Sequence, residues 1–182
     1  MGPRHVGALL AGALLAGGLA ASAAASTPTA SRCSSSVLSV KAGQGSGAAG
    51  SLQSEFAFVN RGSRACTLEG YPRLQMLSAS GQEIATTNEH APPGADGINR
   101  SKLLTLAPGH DAWFAIDYAD QTGYGNLTCP TAAKVRFTPP GVTGTVTLSG
   151  QHARISPYGG TIEHLHCGLV QVTPVTAKPP LS

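Results

Sequence analysis

The chain has 182 residues, of which 41% are hydrophobic and only 12% charged, and its formal net charge is +3. Apolar content at that level is enough for a core and argues against intrinsic disorder. The small positive excess forms no basic stripe, so neither nucleic acid nor an anionic membrane surface is expected as a partner.

Arg4 and His5 precede a run of Ala, Leu and Gly over residues 6–21, followed by small residues up to Ser26. This is the pattern of a secretory signal peptide, and Ala21-Ser22-Ala23 and Ala23-Ala24-Ala25 are both suitable cleavage triplets, the second giving a signal of residues 1–25. The run is Gly-rich and short of the roughly 20 strongly apolar residues of a transmembrane anchor. No later stretch approaches that length, so no membrane span is expected in the mature chain. Cys33 stands well downstream of the apolar run, so no lipid-attachment cysteine is expected either. Residues 26–32 read as a short polar lead, and the chain beyond them suits one domain, 33–174, better than two.

From there, short apolar runs are broken about every ten residues by Gly, Pro, Asn or Ser, the signal of an antiparallel sandwich. Strands are expected at 36–41 and at 51–60, where Leu52, Phe56 and Phe58 share a face. Between them, Gly45-Ser46-Gly47-Ala48-Ala49-Gly50 matches the dinucleotide pattern G-x-G-x-x-G. That motif works with a strand before it and a helix N-terminus after it; here strand residues follow, so a flexible turn is expected. At Cys66-Thr67-Leu68-Glu69-Gly70-Tyr71-Pro72, Gly70 can supply a positive φ and Pro72 fixes its own, predicting a rigid corner before a strand at 73–78. Tyr71 is expected to pack its ring and bond its hydroxyl there; the alternative is an exposed aromatic that recognises a glycan or peptide.

A strand is expected at 82–86, then a long turn-rich connection over 88–100. Residues 102–106 and 110–118, joined by Ala107-Pro108-Gly109, predict a hairpin with Ala112, Phe114, Ile116 and Tyr118 on one face. Further strands are expected at 133–138, 143–149 and 168–173. No stretch of the mature chain holds helical periodicity. The expected fold is therefore all-β, an immunoglobulin-like antiparallel β-sandwich of about eight or nine strands. The tail, 175–182, follows Pro174, contains Pro179 and Pro180, and is expected to be loose.

Cys33, Cys66, Cys129 and Cys167 predict two disulfides, because an oxidising compartment favours bridges over free thiols. Of three possible pairings, Cys33 with Cys66 and Cys129 with Cys167 is favoured, each bracketing the strands at one end of the domain. A catalytic Cys66 would need a free thiolate beside a His base, which an even cysteine count does not suggest. His164 and His166 are candidate metal ligands, since residues two apart on a strand face the same side. A third ligand from His90, His110, His152 or Glu163 is not selected by any spacing, and a solvated or hydrogen-bonded His pair is the plainer reading. Asp111, Asp117 and Asp120 are candidates for paired carboxylates. Asp111 and Asp117, however, are about 20 Å apart on an extended strand, beyond the roughly 5–9.5 Å that glycoside hydrolysis requires. No Gly-x-Ser-x-Gly or Ser-x-x-Lys sequence marks a serine nucleophile. Asn126-Leu127-Thr128 matches a glycosylation sequon by pattern only.

The strand ending Phe58-Val59-Asn60, the block from Cys66 to Pro72, the Gly81 turn, Leu106-Ala107-Pro108-Gly109 and the late cysteines together resemble the exported actinobacterial domain-of-unknown-function family four-two-three-two. The resemblance covers nearly all of the mature chain. It implies an extracytoplasmic β-sandwich with no assigned reaction and no known catalytic residue, and it supports Cys66 as a bridge residue. The resulting expectation is a secreted, non-enzymatic module without cofactor that binds an extracellular or envelope ligand or protein. Loops 88–100 and 119–128 at a sandwich end are where that binding would be sought. The alternative is a metal-binding protein or enzyme that uses His164 and His166.

Overall fold

The computed structural model describes residues 1–2, 29–48, 50–92, 100–119, 132–149, 165 and 168–181. A 3-10 turn (Ser35–Val37) leads into β1 (Leu38–Ala48), which turns at Gly50 and pairs along its length with β2 (Ser51–Asn60). The following strands are β3 (Cys66–Leu68), β4 (Arg73–Leu77), β5 (Glu83–Ile84), β6 (Thr87–His90), β7 (Leu104–Leu106), β8 (Asp111–Ala119), β9 (Lys134–Thr138), β10 (Val146–Ser149) and β11 (Leu169–Val172). A five-stranded sheet runs β1-β2-β8-β11-β6, a four-stranded sheet runs β10-β9-β4-β5, and β3 pairs with β7. The fold is an all-β sandwich. Among the described residues every strand pair is antiparallel except β11 with β6, which is parallel, a departure from the purely antiparallel expectation.

Period-two alternation places Phe56 and Phe58 of β2 beside Phe114 of β8, and Phe137 of β9 enters this cluster from the opposite sheet. All four rings are fully buried, with centroids 4.9 Å apart for Phe56 and Phe137 and 5.3 Å apart for Phe114 and Phe137. Such tilted and edge-on contacts add about 0.5–1.5 kcal/mol per pair beyond the area they bury. They join the two sheets at the centre of the core.

One side of the sandwich is closed by side chains. Thr86, Asn88 and His90 alternate along the β6 segment and all reach the β4 side. Met76 N–H donates to Thr86 Oγ1 (3.0 Å), Leu74 N–H donates to Asn88 Oδ1 (2.7 Å), and Asn88 Nδ2 donates back to Leu74 O (2.9 Å). One rung further, the His90 ring stacks on Tyr71. Side-chain amide and hydroxyl groups thus replace a backbone ladder where the two sheets meet, keeping buried main-chain groups paired.

Three further expectations are corrected. Residues 104–106 and 111–119 do not form a hairpin: β7 pairs with β3, and β8 pairs with β2 over Ser51–Ala119 to Val59–Asp111. The Ala107-Pro108-Gly109 turn does form, with His110 N–H donating to Ala107 O, but Gly109 N–H donates to Asn60 O and Asn60 N–H to His110 O. The backbone of Asn60 therefore sits where hairpin partners would pair. The glycine-rich run is not a turn up to Gly50 either: residues 45–48 are the last part of β1, after a register shift between Ala42 and Gly45. Gly43, inside that irregularity, lies so close to the sheet that a Cβ would come within 2.7 Å of Trp113 Cζ3 and 2.9 Å of Glu55 Cβ.

The third correction concerns the tail, which is fastened rather than loose. Beyond β11 the chain continues along β8: Thr173 N–H donates to Ala115 O, and Thr176 and Trp113 exchange two backbone bonds of 2.7 and 2.8 Å. It then crosses β8 to β2, where Leu181 N–H donates to Glu55 Oε1 (2.6 Å). Glu55 is 2% exposed, and its other oxygen accepts from Gln44 N–H of β1 (3.3 Å). Apolar tail side chains assist, because Val175 is buried in the core cluster.

Candidate functional site

The corner opened by Cys66 is built from three converging segments. Residues 31–33 run beside Thr67, with Thr67 N–H donating to Ser31 O and Cys33 N–H donating to Thr67 O. This places Cys33 against Cys66, and the two form a disulfide with Cα atoms 4.8 Å apart. The bridge residues are 5% and 6% exposed, so neither sulfur is presented as a nucleophile. Loop 61–65 is shaped from within by Asn60, whose carboxamide is fully buried: Nδ2 donates to Arg64 O and Leu106 O, and Oδ1 accepts from Gly62 N–H. The lead segment and this loop border a cleft of about 210 Å³ lined by Ser31, Arg32, Ser34, Ser63 and Arg64, with the disulfide at its base.

On the other side of the same stretch, Gly70 adopts φ +115°, as the corner requires, and Gly70 O accepts from Val175 N–H. Tyr71 packs its ring face to face on His90, with centroids 3.8 Å apart and planes 10° apart. The stack belongs to the side-chain closure between β6 and the β4 corner, so Tyr71 has the packing role expected of it. His90, a candidate metal ligand, is taken up by that stack.

The remaining sequence candidates separate. Asp111 accepts from Lys41 Nζ (2.6 Å), and Lys41 also lies 4.8 Å from the centroid of the Trp113 ring. Asp117 accepts from Ser51 Oγ (2.6 Å) beside a second shallow hollow of about 240 Å³ lined by Ser46, Gly47, Ser51, Gln53 and Asp117. The two aspartates share the outer face of β8 at positions 111 and 117 and do not form a pair. His110 sits at the exposed turn before β8. Asp120, Asn126, Cys129, His152, Glu163, His164, His166 and Cys167 lie outside the described residues, as do 93–99 and 120–128 of the loops proposed for binding, whereas 88–90, expected as loop, belong to β6. Among the described residues, no three His, Cys, Asp or Glu side chains are grouped for a metal ion.

Arg32 and Arg64 were not singled out by sequence reasoning. The signal was present: Arg32 precedes Cys33, and Arg64 is two residues before Cys66. Once those cysteines are bridged, both arginines must stand at one corner.

The fold and this corner define a disulfide-stapled β-sandwich domain. Residues 33–176 match the family described as domain of unknown function (DUF4232), and the chain belongs to that family. No curated protein and no solved structure matches it.

Proposed function

We propose that this chain is an exported module that acts by binding, without catalysis, at the cell envelope or in the surrounding medium. The observation that carries the reading is the Cys33–Cys66 disulfide, a bond that persists in oxidising compartments. The signal-peptide pattern of residues 1–25 agrees with it. Support for the non-catalytic reading comes from the uses of the polar side chains: Asp111, Asp117, Glu55 and His90 each hold one strand or segment to another. No helix among the described residues is long and apolar enough to cross a membrane. In this reading Cys129 and Cys167 form the second bridge.

The test has two arms. Protein recovered from the medium or envelope fraction should begin after Ala23 or Ala25 by N-terminal sequencing, and non-reduced peptide mapping should recover the Cys33–Cys66 and Cys129–Cys167 peptides. A screen of hydrolase substrates, run beside elemental analysis, should show neither turnover nor stoichiometric zinc or copper. Robust turnover abolished by one His or Asp substitution, or one metal per chain lost on replacing His164 and His166, would reject the proposal.

A further inference from the structure

We propose that the cleft above the Cys33–Cys66 bridge binds a small oxyanion group: phosphate, sulfate or carboxylate. Its lining contains two arginines, Arg32 and Arg64, three serines and no acidic residue. The ion pairs among the described residues are Lys41 with Asp111 and Arg136 with Glu83, so neither Arg32 nor Arg64 has a carboxylate partner there. The Arg32 guanidinium lies against Gly141 at the edge of the cleft, with one long bond from Nη1 to Gly141 O (3.5 Å), and its Nε and Nη2 have no acceptor among the described residues. The planar guanidinium fork matches the spacing of two oxygens on a carboxylate, phosphate or sulfate.

The backbone points the same way. The N–H groups of Ser34, Ser63 and Arg64, on residues that line the cleft, donate to no protein atom among the described residues. The walls are held in place before any ligand arrives. The disulfide ties residue 33 to residue 66, the two bonds between residues 31–33 and Thr67 fix one wall, and the Asn60 carboxamide fixes Gly62 and Arg64 O in the other. An uncompensated positive cleft with serine hydroxyls at its edge is complementary to a compact anion. The assignment stands on this cleft alone and goes beyond the proposal that the domain is a binding module.

The experiment is an amide-resolved NMR titration of the oxidised, signal-cleaved protein with sodium phosphate, sulfate and acetate, against sodium chloride at matched ionic strength. Saturable shifts of the Ser34, Ser63 and Arg64 amides with at least one oxyanion, and not with chloride, are expected. Whether phosphate and sulfate or acetate saturates at the lower concentration tells tetrahedral anions from carboxylates as the preferred class. Arg64→Gln and Arg32→Gln should each weaken the response by about tenfold or more, and Arg64→Lys by less. Both arginines are exposed, so the variants should melt as the parent does. An absence of saturable shifts with all three oxyanions, or a response unchanged in the Arg32→Gln, Arg64→Gln double variant, would overturn the assignment.

Discussion

Asn60 ends β2 with its side chain fully buried, a position where an amide must find partners for every polar atom. It does so within its own neighbourhood, holding Arg64 O, Leu106 O and Gly62 N–H, while its backbone receives the turn at Gly109 and His110. One residue therefore sets the loop before Cys66 and the turn before β8. Replacing Asn60 by Ala leaves two carbonyls and one N–H without their partner, and the expected cost is about 2–4 kcal/mol. Urea denaturation would measure it. A loss below about 0.5 kcal/mol would mean that water takes over these bonds and that the side chain is dispensable.

At the scale of elements, the fold relies on two fastenings that are not strand ladders. The first is the tail, crossing β8 to the Glu55 carboxylate. Glu55→Ala removes the acceptors of both Leu181 N–H and Gln44 N–H, so about 1–3 kcal/mol should be lost. Hydrogen exchange should locate the damage: the Leu181 amide loses its protection while Phe56 and Phe114 in the paired strands keep theirs. Equal loosening of all three would show that the carboxylate supports the sheet in general. The second fastening is the row formed by Thr86, Asn88 and His90. Asn88→Ala removes both bonds to Leu74, whose amide should exchange faster, with a loss of about 1–3 kcal/mol. An unchanged Leu74 exchange rate would place the closure elsewhere.

For the whole molecule, the disulfide joins residues 33 apart in sequence and ties the start of the domain to its third strand. A closed loop of that length restricts the unfolded chain by roughly 3–4 kcal/mol in the chain-entropy model. Cys33→Ser with Cys66→Ser should lower stability by about that amount in urea, a large part of a domain's usual margin. A much smaller loss would mean that the hydrogen bonds around Thr67 hold the corner unaided. The same substitution should weaken any oxyanion response of the cleft, because its two walls are joined there.

The strand positions around Phe56, Phe114 and Phe137, the bridge between Cys33 and Cys66, and the Gly70-Tyr71-Pro72 corner were legible in the chain. Each depends on facts readable along the chain: a period of two, an even cysteine count with strands bracketed by Cys33 and Cys66, and the conformational limits of Gly and Pro. The family resemblance rested on the Cys66–Pro72 block together with residues 58–60, Gly81, residues 106–109 and the late cysteines. Short strands were harder to read, because β5 and β7, of two and three residues, are too brief for alternation to show. Partner choice was invisible as well. Pro108-Gly109 is a turn in either topology, and what sends β7 to β3 and β8 to β2 is the long match of β8 with the phenylalanine face of β2, together with Asn60 filling the hairpin position. The sequence by itself determined an all-β, disulfide-stapled class, since burial pattern and cysteine content are written residue by residue. Only the tertiary structure decided that Pro179, Pro180 and their neighbours lie in a fastened tail, and that Arg32 and Arg64 line one cleft. Those outcomes depend on long-range contacts, between residues 126 apart for Glu55 and Leu181, and no local pattern encodes them.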